Sequence, residues 1–102
     1  MTSSAVRPTL LVIYTERLDA CRDFYGSLGL VFVRERHGAG PVHFAAELPG
    51  GLVVELYPAR GGRITGDLRL GFVVDRSVAG QLGPGEHLLS DPDGRKVHIG
   101  VS

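Results

Sequence analysis

The apolar positions of this chain fall in short runs whose period changes along the sequence. Thr9 to Tyr14 (TLLVIY) is an unbroken apolar, β-branched run behind Pro8, too short for a buried helix and suited to a buried strand. The polar leader ahead of it, Met1 to Arg7, is expected to fray. From Leu18 the period turns helical: Leu18, Cys21, Phe24, Tyr25 and Leu28 recur at three- and four-residue steps and share one face. Thr15 is placed to cap that helix, and Glu16 complements its dipole. Gly29 suits the left-handed C′ position, with Leu30 folding back on Tyr25 as a Schellman motif.

Three strand candidates follow, Leu30 to Arg36, Val42 to Leu48 and Leu52 to Tyr57. Gly38, Gly40 and Pro41 part the first two, and Pro49, Gly50 and Gly51 part the last two, so both joins read as hairpins. Ala59 to Asp67 (ARGGRITGD) has no periodicity and reads as a linker. Leu68 to Asp75 is a further strand, Ser77 to Leu82 gives at most one or two helical turns, and Glu86 to Ser90 and Arg95 to Val101 flank an Asp-Pro-Asp-Gly turn. The second half repeats the order of the first in pruned form, with a short helix and one strand missing.

The whole chain is 102 residues, a length for one domain spanning 1–102: a first module over about 9–58, a linker over 59–67 and a shortened second module over 68–102. Eleven basic side chains balance eleven acidic ones, which removes the electrostatic footprint that nucleic acid or an anionic membrane requires. With no long apolar run and no leader pattern, the expectation is a soluble cytoplasmic protein. The single cysteine, Cys21, excludes an internal disulfide and an all-thiolate zinc site, and its place on the apolar stripe marks it as an inert buried thiol.

Strand alternation sorts the faces. Leu52, Val54 and Leu56 share the helix side of their strand, leaving Val53, Glu55 and Tyr57 opposite; Val97, Ile99 and Val101 leave Lys96, His98 and Gly100 opposite; Leu70, Phe72 and Val74 leave Arg69, Gly71 and Val73. His43 alternates with Ala45 and Glu47 on a middle strand, where it is either a solvated or edge-facing side chain or an extra ligand or base. Tyr14, Phe32 and Tyr57 are either core or pocket lining. His37, beside a turn, reads as solvent-exposed, and Asp91 and Asp93 read as turn chemistry.

Three stretches together resemble the vicinal oxygen chelate superfamily, which includes glyoxalases, bleomycin resistance proteins and extradiol dioxygenases. They are Leu11 to Leu30 with Asp23-Phe24-Tyr25 and Leu28-Gly29-Leu30, Glu47 to Pro58 (ELPGGLVVELYP), and Leu89 to Ile99 (LSDPDGRKVHI). The resemblance implies an α+β fold of paired βαβββ modules, here with the second shortened, whose mixed sheet curls around a cleft, in many members across a dimer. It places Leu10, Val12 and Tyr14 inward and puts the four usual metal-ligand positions on Leu10, Glu55, Arg69 and His98. Glu55 and His98 are competent donors, but Leu10 has none and Arg69 brings a permanent cation. No metal and no cofactor are therefore expected.

Arg69 then either pairs with Glu55 or binds an anionic group bidentately, while His98 serves as a hydrogen-bonding or acid–base group. The leading expectation is a homodimeric protein that binds a small aromatic or anionic molecule through Tyr14, His43, Tyr57 and Arg69. An alternative is a lyase, isomerase or dioxygenase, metal-dependent or acid–base, with Glu55 and His98 as catalytic residues. A third is a regulatory module that has lost its ligand.

Overall fold

A computed structural model describes residues 5–102. Seven strands and one helix run in the order β1 (Leu10–Thr15), α1 (Leu18–Ser27), β2 (Val33–Glu35), β3 (His43–Glu47), β4 (Val53–Pro58), β5 (Arg69–Val74), β6 (Gly85–Ser90) and β7 (Lys96–Val101). They form a four-stranded sheet ordered β1-β4-β3-β2 and a three-stranded sheet ordered β5-β7-β6. In each, the first strand is parallel to the last and the other pairs are antiparallel. The first sheet with α1 is a complete βαβββ module. The second keeps the same order without the helix and one strand.

The alternation holds. Ile13, Val54 and Leu56 of the first sheet and Val97, Ile99 and Val101 of the second are buried, together with Cys21 and Tyr25 of α1 and Leu28 just past its end. All of these side chains except Val54 form one continuous core, with Leu70 and Val74 on the β5 side and Phe72 packed against them. Tyr25 carries α1 across to the second module, its ring edge-on to Phe72. The end of α1 is a Schellman motif: Leu30 N–H donates to Tyr25 C=O and Gly29 N–H to Gly26 C=O, with Gly29 at φ 110°.

Four expectations need correction. Each sheet is open, with no curl around an enclosed cleft, since twist accumulates over few and short strands. Ser77 to Leu82 forms turns, without helix. The strand expected from Leu30 begins only at Val33, because Leu30 N–H is taken by the helix end and Leu30 and Phe32 turn toward the core. Thr15 does not cap α1; its hydroxyl accepts from Arg17 N–H, one residue before the helix, and donates to Asp93 Oδ2 at 2.6 Å. Among the described residues no helix is long and apolar enough to cross a membrane.

Candidate functional site

The linker between the modules is a wall rather than a loose tether. Thr65 and Tyr14 exchange hydrogen bonds: Tyr14 N–H donates to Thr65 Oγ1 and Thr65 N–H donates to Tyr14 C=O, each at 2.9 Å. That pins Arg60, Arg63 and Ile64 beside the carboxyl ends of β1 and β4. With Tyr14, Pro41, Tyr57 and Pro58 they line a cavity of about 620 Å³. Tyr14 and Tyr57 are register partners on the parallel β1–β4 pair, their ring centroids 5.9 Å apart. Arg60 and Arg63 are exposed, and among the described residues neither guanidinium has a hydrogen bond or ion pair.

His43 lies against Tyr57. Glu35, His43 and Tyr57 share one sheet face because Glu35 pairs with His43 across the hairpin and Tyr57 follows on the adjoining strand. His43 is 1% exposed and stacks on Tyr57, so the solvated reading of this residue is wrong. The Tyr57 hydroxyl lies 3.3 Å from His43 Nε2. Partial burial, and then the Glu55 charge, raise the Tyr57 phenol above its ordinary value, so it stays a neutral donor.

The remaining expected site residues are spread out. Glu55, half-buried, sits on the same face as Tyr57, between Val12 and Ala45. Arg69 and His98 are on the open face of the second sheet, where Arg69 Nη1 approaches His98 Nε2 to 3.4 Å. Glu55 forms no ion pair with Arg69 or with any other described residue. Leu10, Glu55, Arg69 and His98 do not fit a metal: one has no lone pair, one is a cation, and that cation stands against the histidine.

A buried network behind the cavity wall escaped the sequence reading. Arg95, 3% exposed, donates to Asp91 Oδ2 at 2.8 Å, to Thr65 C=O at 2.9 Å and to Tyr14 C=O at 3.3 Å, and forms an ion pair with Asp93 Oδ2 at 2.9 Å. Tyr25 Oη donates to the same Asp91 oxygen at 2.7 Å. Burial alone would raise the Asp91 carboxyl, but hydrogen bonds from Tyr25 and Arg95 and the guanidinium charge outweigh it and hold the group below the usual carboxylate range. Burial, then the bond to Asp91, pushes the Tyr25 phenol far up. Asp91 and Asp93 do shape the turn, through Asp91 Oδ1 accepting from the Asp93 and Arg95 amides, but they also form the core of this clamp. The available signal was a basic residue four positions after Asp91 in a turn flanked by apolar strands.

No family model matches the chain, and no curated protein matches it by sequence. Solved structures do match its fold. The antibiotic-binding protein TnmS3 from Streptomyces sp. CB03234 superposes with a TM-score of 0.66 at 17% identity, over 98% of each chain. A glyoxalase/dioxygenase from Nostoc punctiforme gives 0.62 at 19% identity, over 100% of this chain and 99% of that one. The oxidase ChaP-H2 gives 0.64 at 16% identity, over 94% and 93%. The chain therefore has the vicinal oxygen chelate fold, shared by binding proteins and enzymes alike, and its function has to be read from the site.

Proposed function

We propose that the protein binds a small aromatic anion in the cavity between Tyr14, Tyr57 and the linker, holding it without chemical change. The observation that carries this reading is the pairing of two adjacent tyrosines with two unpartnered guanidiniums around one concavity of about 620 Å³. The tyrosine rings offer apolar faces with polar tips, and Arg60 and Arg63 offer planar donors for a carboxylate, sulfonate or phosphate. That combination of apolar lining and few convergent polar groups is what a small-molecule pocket needs. An antibiotic-binding protein with the same fold supports a small-molecule-binding role. Arg69 beside His98 on the second sheet is a further place for an anionic group.

The same reading takes the protein as a homodimer. Val73 and Leu88, 84% and 58% exposed on the open face of the second sheet, are the apolar surface a second copy would cover.

Calorimetric titration with a panel of planar aromatic carboxylates and their neutral amides, repeated in the presence of a chelator, tests the binding. Saturable, chelator-insensitive binding of the anions is expected. Failure of every member to bind in the micromolar to millimolar range would remove the proposal. Light scattering across a concentration series tests the dimer, and a monomer mass at all concentrations would rule it out.

A further inference from the structure

The hairpin of β2 and β3 brings together side chains that the cavity reading does not use. Glu35 Oε1 lies 3.2 Å from His43 Nε2 and 3.6 Å from His37 Nε2. The donor atoms of all three lie within 4.8 Å of one another, and among the described residues this is the one such group of three or more His, Cys, Asp or Glu side chains. A tetrahedral ion with bonds of about 2.0 Å holds its ligands about 3.3 Å apart. Two of the three separations are already near that edge length, and the third closes by rotation of His37, whose side chain is 75% exposed.

The hydrogen bonding of His43 supplies a second, independent argument. Its Nδ1 lies 3.2 Å from the Pro41 carbonyl oxygen, which can only accept, so Nδ1 carries the hydrogen. In the neutral imidazole Nε2 then turns its lone pair toward the Glu35 carboxylate, which has only lone pairs to offer in return, so the pair needs either a proton or a cation between them. The Tyr57 hydroxyl, 3.3 Å from Nε2, has one hydrogen that it can donate to that lone pair, and the carboxylate gains no donor from it. A cation between Nε2 and the carboxylate removes the remaining conflict. An imidazole whose far nitrogen is fixed by a backbone carbonyl is also how metal-binding histidines are oriented.

We propose that Glu35, His37 and His43 form a binding site for a divalent transition ion of the zinc, cobalt or nickel type. Two imidazoles and one carboxylate favour such ions over calcium or magnesium, which take oxygen ligands. His43 forms the buried wall, and exposed His37 leaves the solvent side open for water or an exogenous ligand. The site shares no residue with Leu10, Glu55, Arg69 and His98. It adjoins the cavity through Pro41 and Tyr57, both of which line the cavity and contact His43. It goes beyond the cavity reading and stands or falls separately from it.

Cobalt(II) is the probe, titrated into full-length, chelator-treated protein near neutral pH and followed by visible absorption. Expected is saturation at one equivalent with the intense bands of low-coordinate cobalt, displaced by zinc. His37→Ala changes an exposed side chain and Glu35→Gln is isosteric; each is expected to weaken binding by more than the roughly 10- to 100-fold that loss of an outer partner costs. Circular dichroism checks that both variants remain folded. His98→Ala is expected to bind as the parent does. Absence of saturable binding at micromolar ion overturns the proposal, as does parent-like affinity in both hairpin variants or loss of binding in His98→Ala. A proton would then bridge His43 and Glu35.

Discussion

The imidazole of His43 lies flat on the phenol of Tyr57, with ring centroids 4.1 Å apart and planes 10° from parallel. One face of Tyr57 is thereby fixed by a buried ring while its edge is left to the cavity, which gives the proposed pocket a rigid aromatic floor. Tyr57→Phe keeps the stack and is expected to change stability by less than about 1 kcal/mol. Tyr57→Ala loses the stack and uncovers His43, and is expected to cost about 2 kcal/mol. Urea denaturation of the two variants checks this, and equal losses would show that the hydroxyl, not the ring, matters.

Arg95 joins both modules through one guanidinium, and removal of its partner leaves a buried charge. Asp91→Ala is expected to destabilise the fold by about 3–5 kcal/mol. Replacing Asp91 and Arg95 together by apolar residues of similar volume is expected to cost less than Asp91→Ala alone. A double-mutant cycle in urea measures the difference, and additive losses would contradict a coupled pair.

The Asp91 carboxyl sits below its unfolded value, so its contribution to stability is complete above the ordinary carboxylate range and is lost as pH falls through the lower folded value. The urea midpoint is therefore expected to drop in acid, below about pH 4. Asp91→Asn should start from a lower midpoint at neutral pH and fall less steeply there. A parallel acid slope in parent and variant would assign the loss to other carboxylates.

Because Arg60 and Arg63 are exposed, each acts on a bound anion through a screened field. Arg60→Ala and Arg63→Ala are each expected to weaken the aromatic carboxylate about twofold to fivefold, with the neutral amide unaffected. Raising the salt concentration should shrink the difference. Titration at low and high ionic strength reads it directly.

Much of this was legible from alternation and turn chemistry. The full burial of Val54 and Leu56 against the half-burial of Val53, Glu55 and Tyr57 follows from a period of two, and Gly29 announced the end of α1. What the sequence concealed depends on register and on long-range contact. Glu35 meets His43 only because the hairpin pairs them across the 36–42 loop, and that loop, turned by Gly40 N–H donating to His37 C=O, lays His37 over His43. The Asp91–Arg95 clamp was hidden because Asp-Pro-Asp-Gly accounts for itself locally. Its reach to Tyr14 and Thr65 involves backbone carbonyls, which carry no residue-type signal.

Cys21 has no exposure, lies 3.5 Å from the Thr15 hydroxyl, and has its thiol pushed up by burial. As the chain's single thiol, set where α1, β1 and the Asp93 turn meet, it is a native clock for separation of the halves. A thiol reagent can react only during the moments when that junction opens, so the labelling rate counts those openings one molecule at a time. A bound ligand that braces Tyr14 against the linker would slow the clock without touching the sulfur.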